Sequence, residues 1–146
     1  MLLYFDTCCL NRPHDDQRQQ RIFQETEAII SLLEGVIQGS WDLASSAILL
    51  FEVGRISDST KRTTILDLLK SAKVTQPLTP QIKIRANALQ QMGFKPLDAL
   101  HLASAEAISA SILLTTDDRF LRNAQRLASD LEVKVANPTK TDIFDP

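Results

Sequence analysis

The chain is poor in turn formers and in aromatic residues: four glycines, six prolines, and 5% Phe, Trp and Tyr among 146 residues. An all-β sandwich, which needs many tight turns, is disfavoured, and a helix-rich chain is expected. There are only two cysteines, Cys8 and Cys9, and they are sequence neighbours. Adjacent cysteines rarely reach disulfide geometry with each other, so both are read as reduced, buried residues of a cytoplasmic protein. The two histidines, His14 and His101, lie far apart, and no Cys/His spacing suits a structural zinc. No apolar run approaches a membrane span. The opening Met1–Asp6 lacks a basic region and meets an acid at the sixth residue, unlike a signal peptide. A charge excess is missing too: 16 Lys and Arg against 18 Asp and Glu give a net charge of −2. Coating nucleic acid by bulk charge is thereby excluded, and any such contact must come from a local patch.

What is present suits one soluble domain: 44% hydrophobic and 23% charged residues, with no repeat, no low-complexity tract and no linker. A chain of this length hides roughly two-thirds of its unfolded surface. One domain over residues 1–146 is expected, with a short polar tail from about 137.

Short apolar runs at Leu2–Phe5, Trp41–Ala44, Ser111–Thr115 and Glu132–Ala136 read as buried strands, and Val74–Gln76 as a brief strand or a connection. Asn11–Gln20, polar and carrying Pro13, reads as a loop. Between these runs the apolar spacing is helical. Arg21 begins a segment that Gly39 ends, Ser45 or Ser46 caps the next, and Asp58 or Ser59 caps a third. Thr79–Pro80 opens a fourth that closes at Gly93, Pro96 opens a fifth, and a last one covers Asp118–Ser129. Strands alternating with helices predict an α/β domain whose central parallel sheet has four to five strands flanked by helices.

In such sheets ligands bind at the carboxyl ends of the strands. Asp6 ends the first strand, and Asp117 and Asp118 follow the strand near Ile112. Glu52 and Asp98 stand in apolar helical surroundings, where a lone charge is costly to bury. No Lys or Arg occurs between Pro96 and Asp118, so a bound cation would supply the missing partner. Each acid also has an ordinary reading. Glu52 can pair with Arg55 at i+3, and Asp98 suits the first turn of its helix. Asp117 or Asp118 can cap the helix that follows, and Asp6 can satisfy backbone donors at its strand end. The four acids together are harder to explain that way.

These motifs resemble the PIN-domain family. Leu3-Tyr4-Phe5-Asp6-Thr7 is similar to its opening strand and first acid, and Phe51-Glu52-Val53 to its second acid on a helix. Pro96-Leu97-Asp98-Ala99-Leu100-His101-Leu102-Ala103 resembles the stretch around the third acid, and Leu113-Leu114-Thr115-Thr116-Asp117-Asp118-Arg119-Phe120 the closing motif. The ordered set spans Leu3 to Leu121. Cys8-Cys9-Leu10-Asn11-Arg12-Pro13 departs from the apolar continuation usual in the family's toxins.

The resemblance implies a metal-dependent endoribonuclease like the VapC-type toxins of bacterial toxin–antitoxin pairs. Its catalytic and metal-holding acids carry over to Asp6, Glu52, Asp98 and Asp117, with Asp118 as a further candidate ligand. Mg²⁺ or Mn²⁺ is the implied ion, since both take hard oxygen ligands. RNA is the implied substrate, an antitoxin the implied partner, and a homodimer the implied assembly.

Thr7 and Thr116, hydroxyls beside these acids, are candidates to support them through hydrogen bonds, with ordinary packing the alternative. His101, at i+3 from Asp98, is read as a structural hydrogen-bonding histidine. Arg119, with Arg122 and Arg126 on the same helix, and Arg12, with Arg18 and Arg21, are the cations able to steer RNA phosphates; Arg119 and Arg12 are the substrate-binding candidates. The competing readings are a non-catalytic PIN-like interaction module and a phosphate-handling α/β domain of phosphatase or receiver type. The absence of a second acid two residues after Asp6 counts against the phosphatase.

Overall fold

The computed structural model describes residues 1–140. Five strands form one sheet: β1 (Leu2–Phe5), β2 (Asp42–Ser46), β3 (Val74–Gln76), β4 (Ile112–Leu114) and β5 (Lys134–Ala136). Every pairing is parallel, and the order is β3-β2-β1-β4-β5. β1 is therefore central. The chain winds outward from it through β2 and β3 on one side, then through β4 and β5 on the other. The order reverses between β1 and β4, and such a reversal opens a crevice at the carboxyl ends of the two strands.

The connections are helical: α1 (Thr7–Asn11), α2 (Gln20–Ile37), α3 (Ala47–Gly54), α4 (Ser59–Leu69), α5 (Pro80–Gln91), α6 (Pro96–Ala107) and α7 (Asp118–Arg126). Alternating side chains send β1 to both faces of the sheet. Tyr4 joins Ala44, Leu113, Leu102 and Phe120 in the core under α5, α6 and α7. Leu3 and Phe5 join Leu43, Leu114, Ile29 and Leu49 in the core under α2, α3 and α4. Both faces of β1 are thus dry, which is why Leu2–Phe5 reads as a continuous apolar run.

Local chemistry sets most of the boundaries. Ser46 ends β2 and caps α3, accepting from Leu49 N at 3.1 Å. Asp58 caps α4 and Thr79 caps α5, with Pro80 at the first helical position. Gly39, at φ +83°, turns the chain out of α2. Gly35 in α2 is pressed against the Trp41 indole, leaving no room for a side chain.

Two expectations need correction. Asn11–Gln20 is not all loop: Asn11 closes α1, Arg12–His14 form a 3-10 turn with Pro13 in it, and Gln20 opens α2. The helix expected over Asp118–Ser129 stops at Arg126, because Leu127 leaves helical geometry (φ −109°, ψ 19°) before a 3-10 turn at Ala128–Asp130. Residues 141–146, most of the expected polar tail, lie outside the described residues.

Candidate active site

The crevice at the β1/β4 reversal holds a cavity of about 570 Å³, lined by Asp6, Thr7, Cys8, Asn11, Glu52, Lys95, Pro96, Leu97, Asp98 and Asp117. The four acids singled out from sequence therefore meet in one place, although they come from four segments of the chain.

Asp6 leaves β1 at the point where α1 begins, and its side chain caps that helix, accepting from Thr7 N at 2.8 Å. Its other oxygen accepts from Thr115 Oγ1 at 2.9 Å and Cys8 Sγ at 3.3 Å. The Thr115 hydroxyl also accepts from Asp117 N at 3.2 Å, so one side chain at the end of β4 ties the first acid to the fourth. Asp117 caps α7 through Oδ1, which accepts from Arg119 N and Phe120 N at 2.9 and 3.2 Å. The capping reading of Asp117 is thus correct without removing it from the cavity. Among the described residues no hydrogen bond reaches its second oxygen, nor either oxygen of Asp98.

Glu52 does not pair with Arg55, whose guanidinium sits over the Phe51 ring, 5.4 Å from its centroid. It turns inward instead. Glu52 Oε1 accepts from Thr7 Oγ1 at 3.0 Å and makes a short hydrogen bond with His101 Nε2. His101 is almost wholly buried (1% exposed) and its Nδ1 lies 2.6 Å from Tyr4 Oη, which in turn lies 2.6 Å from Ser46 Oγ. His101 Nε2 is also 3.8 Å from Asp6 Oδ1. Asp6, Glu52 and His101 offer ligand atoms all within 4.8 Å of one another.

The electrostatics show crowded negative charge. Burial, then the charges of Asp6 and Asp117, push the Asp98 carboxyl up to about 7. Burial also works against the Glu52 carboxylate, but the His101 hydrogen bond and charge outweigh it and hold Glu52 below the usual range. For His101, burial favours the neutral ring, yet Glu52 and Asp6 tip the balance and raise its pKa.

The remaining candidates are placed as follows. Asp118 is outside the cavity, its two oxygens held by Arg21 at 2.7 and 2.8 Å. Thr7 does support an acid, through Glu52. The hydroxyl that supports Asp6 is Thr115 rather than Thr116; Thr116 is buried, and its backbone carbonyl accepts from Arg21. Arg12 is committed to Glu25 and Asp15, at 2.9 and 3.2 Å. Arg18 pairs with Asp16, and Arg119 is exposed in the first turn of α7, outside the cavity lining.

Sequence reasoning passed over Lys95, the one cation among the lining residues, because it stands just before the stretch from Pro96 that has no Lys or Arg. It also passed over Asn11, hidden in the supposed loop. The signal for both was proximity to the motifs that begin at Asp6 and Pro96.

The fold is an α/β domain whose parallel sheet gathers four carboxylates at its reversal point. The chain belongs to the PIN domain family, whose model matches residues 3–126. Among the solved structures that share the fold are two VapBC proteins. One is VapBC2 from Rickettsia felis bound to a DNA fragment from its promoter, with a TM-score of 0.60, 16% identity and 94% of this chain matched to 98% of that one. The other is VapBC-1 from nontypeable Haemophilus influenzae, with a TM-score of 0.58, 20% identity and 96% of this chain matched to 100% of that one. No curated protein sequence matches the chain. Among the described residues no helix is long and apolar enough to cross a membrane.

Proposed function

We propose that the protein is a metal-dependent endoribonuclease, with Asp6, Glu52, Asp98 and Asp117 holding Mg²⁺ or Mn²⁺. The observation that carries this is Asp98: a half-buried carboxyl, without a hydrogen-bond partner among the described residues, facing the charges of two further acids. The donor set is hard oxygen from dispersed segments, which fits either ion, and a divalent cation would cancel the crowding. Such an ion supplies a more acidic water and stabilises charge at the phosphorus. The chain's own contribution is to fix the carboxylates. Thr115 ties Asp6 to the backbone of Asp117, and Thr7 and His101 hold Glu52.

Lys95 is the residue best placed to meet the RNA phosphate, with Arg119 as a second contact beside Asp117. Arg12 serves instead to build the fold. The two similar structures are named as VapBC proteins, which supports a toxin-like role here with an antitoxin as partner; a homodimer in the cytoplasm is the assembly and place that go with this reading. The test is incubation with single-stranded RNA and Mn²⁺, with EDTA and Asp98→Asn as controls. Cleavage that requires both the ion and Asp98 is expected; cleavage that survives EDTA and the substitution would overturn the reading. The non-catalytic module predicts metal binding without cleavage.

A further inference from the structure

His101 sits close enough to Asp6 and Glu52 to count as a third ligand in a metal cluster, and its ring is also the middle of a buried chain of hydrogen bonds. These two roles exclude each other. A nitrogen that ligates a metal must offer its lone pair, so it cannot carry a hydrogen. The partners of the ring decide which applies.

Nε2 faces Glu52 Oε1, and a carboxylate oxygen has no hydrogen to give. The hydrogen in that bond must come from the ring, so Nε2 is a donor. On the other side, a neutral ring with its hydrogen on Nε2 offers a lone pair at Nδ1, so Tyr4 Oη donates there, and Ser46 Oγ, which accepts from Leu49 N, donates to Tyr4 Oη. Tyr4 is fully buried and its phenol stays neutral, since burial pushes its pKa far up. Its hydrogen then goes to Nδ1. The chain runs Ser46 to Tyr4 to His101 to Glu52. Should the ring gain a second hydrogen at Nδ1, the bond to Tyr4 reverses while Nε2–H stays where it is. Thr7 Oγ1 donates to the same Oε1. Both donors therefore fall on one oxygen of Glu52, and among the described residues no hydrogen bond reaches the other, Oε2.

We propose that His101 is a positioning residue and not a metal ligand: its Nε2–H and the Thr7 hydroxyl fix Oε1 of Glu52, so that Oε2 alone is presented to the cation, while Tyr4 and Ser46 lock the ring that does this. The proposal rests on Glu52 being a metal ligand, as argued above. It separates the roles of groups that proximity alone would pool, and it extends the site inward to β1 and the end of β2, both beyond the cavity lining.

The test begins with the imidazole nitrogens of ¹⁵N-labelled protein, observed by NMR with and without diamagnetic Mg²⁺. Nε2 of His101 is expected to carry its hydrogen in both states. Loss of that hydrogen on saturation with Mg²⁺ would show His101 to be a ligand and overturn the proposal. Mn²⁺ affinity, measured by titration calorimetry, gives a readout that needs no turnover. His101→Leu fills the space without a donor, and it should weaken Mn²⁺ binding by about 10- to 100-fold, the usual cost of removing a group that orients a ligand. His101→Gln keeps an N–H near the Nε2 position and is expected to recover most of that loss.

Wild-type affinity in His101→Leu would sink the idea. If that variant does not fold, Tyr4→Phe carries the test, since it removes one oxygen and leaves the packing. A weaker Mn²⁺ affinity and a shifted Nδ1 resonance are expected, and no change in either would remove Tyr4 from the chain. If the wild type binds neither ion, the metal reading fails on its own. The hydrogen on Nε2 without metal then still decides whether His101 clamps Glu52.

Discussion

The guanidinium of Arg21 grips both carboxylate oxygens of Asp118, at 2.8 and 2.7 Å, across 97 residues of sequence. Arg21 also reaches Glu25 and the backbone carbonyl of Thr116, so it staples α2 to the start of α7. The cation holds the Asp118 carboxyl below its ordinary range. Asp118 is thus satisfied without a metal, in contrast to Asp98. Asp118→Asn is expected to leave Mn²⁺ affinity at the wild-type value, and the melting temperature almost so, because the pair is solvent-exposed. A large loss of metal affinity in calorimetry would return Asp118 to the site.

Asp98 sets a pH dependence in the metal-free protein. Its folded-state pKa, about 7, lies above the unfolded value near 3.8. Its ionisation therefore opposes folding above pH 7, and the penalty fades as pH falls through 7 towards 4. His101, with its raised pKa, acts in the same direction: its contribution is full below about 6.5 and is lost as pH rises through the folded value. Asp98→Asn isolates the first effect. In EDTA the variant should melt above the wild type at pH 8, and the wild type should recover about 1–2 kcal/mol of the gap by pH 5, after allowance for solvent reaching this half-buried group. A variant that melts lower at pH 8 would mean that Asp98 is an ordinary stabilising residue of the first turn.

Divalent ions should relieve the same crowding. At ten times Kd, binding adds about 1.4 kcal/mol, or roughly 3–5 °C in Tm for a domain of this size. Asp98→Asn should show much less of this rise. Equal metal-induced rises in both proteins, in melts with Mn²⁺ against EDTA, would exclude Asp98 from the ligand set.

Lys95 and Arg12 make a second contrast. Lys95→Ala should raise the KM for single-stranded RNA and flatten its dependence on salt, because one phosphate contact is gone. Arg12→Ala should instead lower stability, since it leaves the buried Glu25 (2% exposed) without one of its partners. Steady-state kinetics at two salt concentrations, with thermal melts, distinguish the two effects. A rise in KM from Arg12→Ala in a fully folded protein would restore it as a substrate contact.

Thr115→Val tests the tie between β1 and β4. The variant keeps its shape but loses the hydroxyl that serves Asp6 and Asp117 N. We expect a loss of about 1–3 kcal/mol in stability and weaker Mn²⁺ binding. Unchanged metal affinity would show that Asp6 is held well enough by Thr7 N and Cys8 Sγ.

The parts legible in the sequence are those with local causes. Leu2–Phe5 reads as a strand because both of its faces are buried, and Thr79–Pro80 as a helix start because a cap and a fixed φ stand side by side. The acids were legible because an acid in an apolar helix, as at Glu52 and Asp98, is a local anomaly. Partners were not. Arg12, Arg18 and Arg21 look like one basic cluster in sequence, yet each is matched with an acid, and Asp118 is remote from Arg21 along the chain. Thr115 and Thr116 are indistinguishable by composition; which hydroxyl meets Asp6 depends on the orientation of the chain as it leaves β4. The helix Thr7–Asn11 is too short for a period to show, and its cap is the acid first noticed for another reason.

The central position of β1 also governs when, during synthesis, the crevice can form. Asp6 is made well before the strand that completes the crevice, β4, which begins at Ile112, and before Thr115, whose hydroxyl holds Asp6. At about 5–20 residues per second, several seconds of synthesis separate the two. During that interval the acids are dispersed on an unfinished sheet. A product interrupted before β4 therefore lacks the crevice, and the four acids meet only once Asp117 has been made.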